Sequence, residues 1–357
     1  MQPRYQALEA YVPGEQPQDQ VYIKLNTNES PYSPGPGTCA VLNGTQAAQL
    51  RLYSDPACVQ LRRKLAQRYG VQPENVFVSN GSDDVLNFAF AAFSGENCPA
   101  YFPDITYGFY PVFAQLHGVP FHTVPLQANF RVNPADYMDR DGMIVIANPN
   151  APTGLTLPVS DIEQILQRNP DHVVVIDEAY VDFGAASCVP LTSKYDNLLV
   201  VQTYSKSRSL AGARLGYAIG RTALIADLEK IKFSTNPYSV NRMTLAAGAA
   251  ALDEDDYYAA HCRDIIRTRK NTTAQLLAMG FEVLDSQANF VFARHPKMDG
   301  GRFYQELKRR GVLVRHFTAP RIAQFNRITI GTPEQMDVLI NTTAEILKEG
   351  VAAPERS

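Results

Sequence analysis

One lysine in the chain stands where it could do covalent chemistry. Lys206 follows the apolar run 198–202 within SKSRSLAGARLGY (residues 205–217), so it is displayed at the end of a buried strand among small residues, with Arg214 eight positions on. An amine so placed can condense with a carbonyl, and a nearby serine and arginine, here Ser205 and Arg214, can hold a phosphate. Taken alone, a solvated strand-end lysine is the simpler reading. Two other segments shift the balance. The apolar run 173–176 leads into Asp177-Glu178-Ala179-Tyr180, a carboxylate at a second strand end with a phenol three residues later. Asp177 there can cap a helix or pair with a protonated heterocyclic nitrogen. Asn148-Pro149-Asn150-Ala151-Pro152-Thr153-Gly154 is a turn-dense loop after a third buried strand, a place where polar groups typically meet ligands.

Other chemistries lack their residues. No GxGxxG follows a strand and no GxxxxGK[ST] exists, so dinucleotide and P-loop sites have no support. The six histidines include no HExxH pair, and no metal site is expected. The five cysteines are scattered, with no CxxC, and read as reduced thiols.

The elements that must position these groups are legible in the apolar pattern. Short apolar runs at 76–78, 100–102, 143–147, 172–176, 198–202 and 216–220 alternate with helical segments. Their few polar interruptions predict strands covered on both faces, hence an α/β fold with a mainly parallel central sheet. Asp55-Pro56 predicts a helix start ahead of Leu61, Leu65 and Tyr69, and Ser82 another ahead of Val85, Leu86 and Ala89. Ser160 to Glu163 has capping-box spacing, and Thr332-Pro333 caps a last helix. After about residue 250 the alternation gives way to a helix over 251–279, strand-like 282–292, a helix at 301–311 and strands at Val312 and Arg327, an α+β tail. The expected organisation is an N-terminal arm that is part of a small domain (1–39), a large domain (40–255) and a small C-terminal domain (256–357).

In this order and at these separations the segments resemble the fold-type I pyridoxal-5′-phosphate enzymes, and among them the chain is similar to the histidinol-phosphate aminotransferases. The resemblance runs from KLNTNESP (24–31) through RLYSDP (51–56), SNGSDD (79–84), the loop at 148, DEAY, SKSRSLAGARLGY and Ala288-Asn289-Phe290-Val291 to RITIGT (327–332). It implies a cofactor, pyridoxal 5′-phosphate, whose carbonyl carbon bonds to Lys206, which also moves the substrate proton. It further implies Asp177 on the ring nitrogen, Tyr180 on the ring oxygen and Tyr107 stacked on the ring. Ser205, Arg214, Ser82 and Asp83, the last through its backbone N–H, would hold the phosphate at a helix N-terminus. Related enzymes carry Asn immediately before Pro-Thr-Gly, but this chain has Ala151 there, so either Asn150 shifts in or Tyr180 carries the ring-oxygen contact unaided. Tyr53 is similar to a tyrosine that reaches the neighbouring subunit's cofactor, which implies a homodimer with shared sites.

For substrates, the resemblance assigns Arg327 to a carboxylate, Arg315 to a substrate phosphate, Tyr11 to an arm that closes over it and Asn28 to the substrate side. The implied reaction transaminates histidinol phosphate with 2-oxoglutarate, giving imidazole acetol phosphate and glutamate in histidine biosynthesis. Alternatives within the same fold are an aromatic amino-acid aminotransferase and a threonine-phosphate decarboxylase. A non-catalytic regulator that binds the cofactor is disfavoured, because no basic DNA-binding module is present.

Composition agrees with small-molecule chemistry. The 357 residues hold 33 Lys+Arg against 36 Asp+Glu, a formal net charge of −3, and no like-charge block longer than Asp253 to Asp256. That leaves no electrostatic footprint for nucleic acid or an anionic membrane. With no cationic start leading into an apolar run and no stretch of about 18 apolar residues, a cytoplasmic protein is expected.

Overall fold

The computed structural model describes residues 3–6 and 8–352. Its centre is a seven-stranded sheet in the spatial order Val76–Ser79, Gly216–Gly220, Leu198–Thr203, Val174–Asp177, Met143–Ala147, Ala100–Pro103, Phe121–Val124. Only Gly216–Gly220 runs antiparallel to its neighbours; every other pairing is parallel. All six strands expected from apolar runs are buried at every residue. Two apolar clusters explain this, because one covers each face of the sheet: Val174 and Ile176 point into one, Val175 and Val201 into the other.

Register sets up the site. Ala147 pairs with Asp177, which pairs with Val201, so the adjacent parallel strands end on one level. Everything that follows them, the loop at 148, DEAY and Thr203 to Lys206, emerges along the same edge, where ligands of open α/β sheets bind.

A four-stranded antiparallel sheet, Arg315–His316, Asn326–Thr329, Phe290–Arg294, Glu282–Val283, packs with the helices Asp255–Ala278, Gly300–Arg309 and Pro333–Ala352 around a further cluster. Leu25 of the N-terminal arm belongs to that cluster, and Ile23–Lys24 pairs in parallel with Val312–Leu313.

Several local expectations are corrected. The helix expected from Asp55-Pro56 begins at Val59; residues 55–58 form a turn in which Asp55 accepts from Ala57 N (3.0 Å) and still caps the helix by accepting from Val59 N (2.7 Å). Ser160 is no cap: the helix Val159–Arg168 starts after Pro158, and Glu163 instead engages Lys194 and Tyr195. The strand Phe121–Val124 was not anticipated, because as an edge strand it exposes His122 and Thr123 and lacks an apolar run. The helix expected over 251–279 is Asp255–Ala278, preceded by a separate helix, Arg242–Ala251, that was not anticipated, and the strand-like 282–292 is interrupted between Val283 and Phe290. Thr332 does cap the last helix, donating its N–H to Gln335 Oε1 (2.9 Å) while its hydroxyl accepts from Gln335 N (3.3 Å).

Candidate active site

A cleft of about 320 Å³ opens at the strand ends, lined by Ser82, Asp83, Tyr107, Asp177, Tyr180, Ser205, Lys206 and Arg214 among others. A second cavity of about 400 Å³ adjoins it, sharing Tyr107, Tyr180 and Lys206 and adding Tyr11, Asn28, Arg315 and Arg327. Twelve sequence-derived candidates therefore meet in one place, from segments nearly the full chain apart.

Lys206 leaves the sheet after Thr203, and its Nζ donates to Thr27 O (3.2 Å). Burial, reinforced by Arg327, lowers its pKa to about 8. Asp177, the last residue of its strand, accepts from Tyr110 OH (2.8 Å) and Ala179 N (3.2 Å). Those bonds favour the anion, yet burial outweighs them and raises its pKa to about 6. A buried carboxylate in such surroundings is stabilised as the anion by any cation brought against it. Tyr180 receives a hydrogen bond from Asn28 Nδ2 (3.0 Å), and burial raises its phenol pKa.

The other end of the cleft is built for an anion. Helix Ser82–Phe93 starts after Gly81 with no side-chain cap, leaving its first N–H groups available. Gly81 sits at φ +92°, and a Cβ there would lie 2.6 Å from Arg214 Nη2. Glycine thus lets the guanidinium approach the helix start. Gly216 does the same for the backbone, since its Cβ would meet Ser82 N at 2.2 Å. Arg214 itself is held at φ +53°, a strained conformation for a side chain of this size. Its Nη2 pairs with Asp83 Oδ2 (2.9 Å) and its Nη1 reaches Ser205 Oγ at 3.5 Å. Asp83 accepts also from Tyr107 OH (2.7 Å), so its carboxylate is occupied and only its N–H is left for an anion.

In the adjoining cavity Arg327 donates to Asn26 O (3.0 Å) and lies over the rings of Phe290 and Phe317. Arg315 donates to Val12 O and Pro13 O, both at 3.0 Å, and so straps the arm down. Tyr11 is thereby stacked on Phe109, with ring centroids 4.0 Å apart.

Residues 20–342 match the family model of aminotransferases of class I and II. The chain belongs to that family. It is 50% identical over 343 residues to histidinol-phosphate aminotransferase 2 of Dechloromonas aromatica (strain RCB), covering 95% of this chain and 96% of that one. It is 49% identical over 345 residues to the histidinol-phosphate aminotransferase of Aromatoleum aromaticum, covering 96% and 97%. The crystal structure of histidinol-phosphate aminotransferase from Sinorhizobium meliloti in complex with pyridoxal-5′-phosphate has the same fold, with a TM-score of 0.88, 22% identity and 98% of each chain covered.

Two expected aminotransferase site residues lie elsewhere. Asn150 is buried but does not line the cleft: its Nδ2 donates to Ile105 O (2.9 Å) and Thr153 Oγ1 (3.1 Å), and its Oδ1 accepts from Thr106 Oγ1 (2.8 Å). Its amide is spent holding the loop, and Ala151 forms the wall. Tyr53 lies away from both cavities, 79% exposed and stacked on Tyr238 at 4.4 Å. Conversely, Tyr110 and Thr27 were missed. Tyr110 carried a signal: it lies three residues beyond Tyr107 at the start of the helix Phe109–His117, so both phenols turn toward the same strand ends.

Proposed function

We propose that the chain transaminates histidinol phosphate with 2-oxoglutarate, using pyridoxal 5′-phosphate. The observation that carries this is the joined cleft, in which a lysine of lowered pKa stands between an anion cradle and a cavity holding two arginines. The residues fit the cofactor. Arg214, Ser205 and the N-terminus of helix Ser82–Phe93 suit its phosphate, Asp177 its protonated nitrogen, and the Tyr180 hydroxyl its ring oxygen. Tyr107, in the wall, is assigned to its ring face.

When bound, the cofactor supplies an electron sink that makes loss of the substrate's α-proton feasible. The protein's groups do the rest. With a pKa of about 8, Lys206 gives up its proton far more readily than an ordinary lysine, so its neutral amine is accessible near neutral pH to take a proton from carbon and return it. Asp177, short of a positive partner, keeps the ring nitrogen protonated. Arg327 receives the carboxylate of glutamate or 2-oxoglutarate and Arg315 the phosphate of histidinol phosphate, exchanging carbonyl acceptors of the arm for a dianion. Asn28 lies on this side too, through its contact with Tyr180.

The same reading includes a homodimer. Tyr53, Tyr238, Leu50 and Leu52 are exposed apolar side chains on segments that meet through the Tyr53–Tyr238 stack. A tyrosine remote from its own cleft is assigned to the partner's. The domain division at residues 39 and 255 is likewise proposed, supported by helix Asp255–Ala278 passing from one core at Tyr258 to another at Cys262.

Mixing the loaded protein with single amino donors and following its visible absorbance tests the substrate. Glutamate and histidinol phosphate should each convert the cofactor to its amine form, histidinol phosphate at least about tenfold more efficiently than phenylalanine or tyrosine. The opposite order sinks the assignment.

A further inference from the structure

The hydroxyl of Tyr180 is buried, and the one hydrogen bond it makes is received, not given. Asn28 Nδ2 donates to it at 3.0 Å, and among the described residues its own proton meets no acceptor. The amide that donates cannot turn over. Thr329 Oγ1 accepts from Asn28 N (3.0 Å) and spends its own proton on Asn28 Oδ1 (3.0 Å), so the oxygen end of the amide is fixed toward Thr329 and the nitrogen end toward Tyr180. The Asn28 carbonyl is held in turn by Asn289 Nδ2 (3.0 Å), and the backbone sits at φ +55°, a conformation asparagine tolerates better than most residues. Four contacts therefore fix this residue, two on its side chain and two on its backbone.

A phenol oxygen that already accepts a bond must aim its proton away from that donor. For Tyr180 the open direction is the cleft, whose wall it forms. The neighbouring wall offers no amide donor at these positions: position 151 is alanine, and the Asn150 amide is consumed by Ile105, Thr106 and Thr153. Asn28 also makes the phenol a better donor, lowering a pKa that burial raises.

We propose that Asn28 is a positioning residue that aims the Tyr180 proton at the ring oxygen of the cofactor, a task that in this chain no side chain at 150 or 151 shares. The proposal rests on the cofactor reading above. A donor on the ring oxygen draws negative charge off the ring, so it lowers the pH at which the bound chromophore gives up its proton and changes its visible absorbance. Loss of the donor raises that pH.

The experiment is a pH titration of visible absorbance on cofactor-loaded protein. Asn28→Gly tolerates the backbone conformation and removes the amide; its midpoint should rise by about one pH unit, a tenfold change in proton affinity. Tyr180→Phe should raise it at least as far, and adding Asn28→Gly to Tyr180→Phe should change nothing more. Ala151→Asn, which puts an amide in the cleft wall, should pull the Asn28→Gly midpoint back down. Thr329→Val leaves Asn28 in place but frees its amide to turn, so it should shift the midpoint the same way by less, and it serves if Asn28→Gly does not fold. A wild-type midpoint in both Asn28→Gly and Thr329→Val, or an Asn28→Gly shift that persists undiminished in Tyr180→Phe, overturns the proposal. A wild-type protein that takes up no pyridoxal 5′-phosphate overturns instead the reading on which it rests.

Discussion

The two halves of the cleft are built differently. Around Asp177 and Lys206 the side chains leave the ends of strands held in hydrogen-bond ladders on both sides, and the carboxylate is fixed by a buried tyrosine. Around Arg315 and Arg327 the walls come from a small antiparallel sheet that ends in a two-residue edge strand and from an arm whose carbonyls at Val12 and Pro13 lie about 300 positions away in the chain. In the reading proposed above, the groups that would touch the reacting atoms leave the ends of the central seven-stranded sheet, while the groups that would choose the substrate sit on the smaller sheet and on the arm held against it. Preorganised charge needs rigidity, whereas alternating between two substrates needs adjustment.

This contrast can be broken by substitution. Lys206→Ala should abolish transamination and the visible absorbance of the covalently held cofactor while leaving circular dichroism unchanged. An active, equally coloured variant would remove lysine chemistry from the rigid half. Asp177→Asn preserves shape but removes the charge that holds the ring nitrogen protonated, so kcat should fall by about 10² to 10⁴ with cofactor still bound. Near-native turnover would make DEAY a structural turn only.

The adjustable half should respond selectively. Arg315→Ala is expected to cost about 2 to 4 kcal/mol in kcat/KM for histidinol phosphate, since a dianion loses its charge-assisted partner, and far less in the glutamate half-reaction. Arg327→Ala should show the reverse preference. A general folding defect lowers both half-reactions together, so an unchanged ratio in Arg315→Ala would favour an aromatic substrate.

The smallest expected effect is a shift in reactivity. Burial favours the neutral amine of Lys206, so its titration moves down from the ordinary 10.5 to about 8. The neutral form is the nucleophile, and in cofactor-free protein its acylation by a water-soluble reagent should rise with pH and level off a little above 8. A rate still climbing through pH 10 would show the amine to be solvated.

Much of the rigid half was legible in the sequence because each part is local. An apolar run ending in Asp177, or in Ser205-Lys206, announces both the strand and the group at its end. What failed to read shared one cause: the deciding partner is remote in sequence or is main chain. Asn150 is drawn out of the cleft by carbonyl and hydroxyl groups at 105 and 106, Asp55 caps from a turn instead of a helix, and Tyr110 matters only because Asp177 arrives beside it. The edge strand Phe121–Val124 has one neighbour and a polar face, so no apolar run marks it.

The parallel pairing of Ile23 with Val312 and of Lys24 with Leu313 bears on how the chain is made. A ribosome adding about 5 to 20 residues per second needs roughly 15 to 60 s to pass from one partner to the other. The central sheet, complete by Gly220, can assemble well within that interval, but the arm emerges first and waits longest for its place. During synthesis Ile23 and Leu25 are apolar segments without a seat, so the nascent protein has a scaffold early and a finished substrate cavity only after its C-terminal strands leave the tunnel.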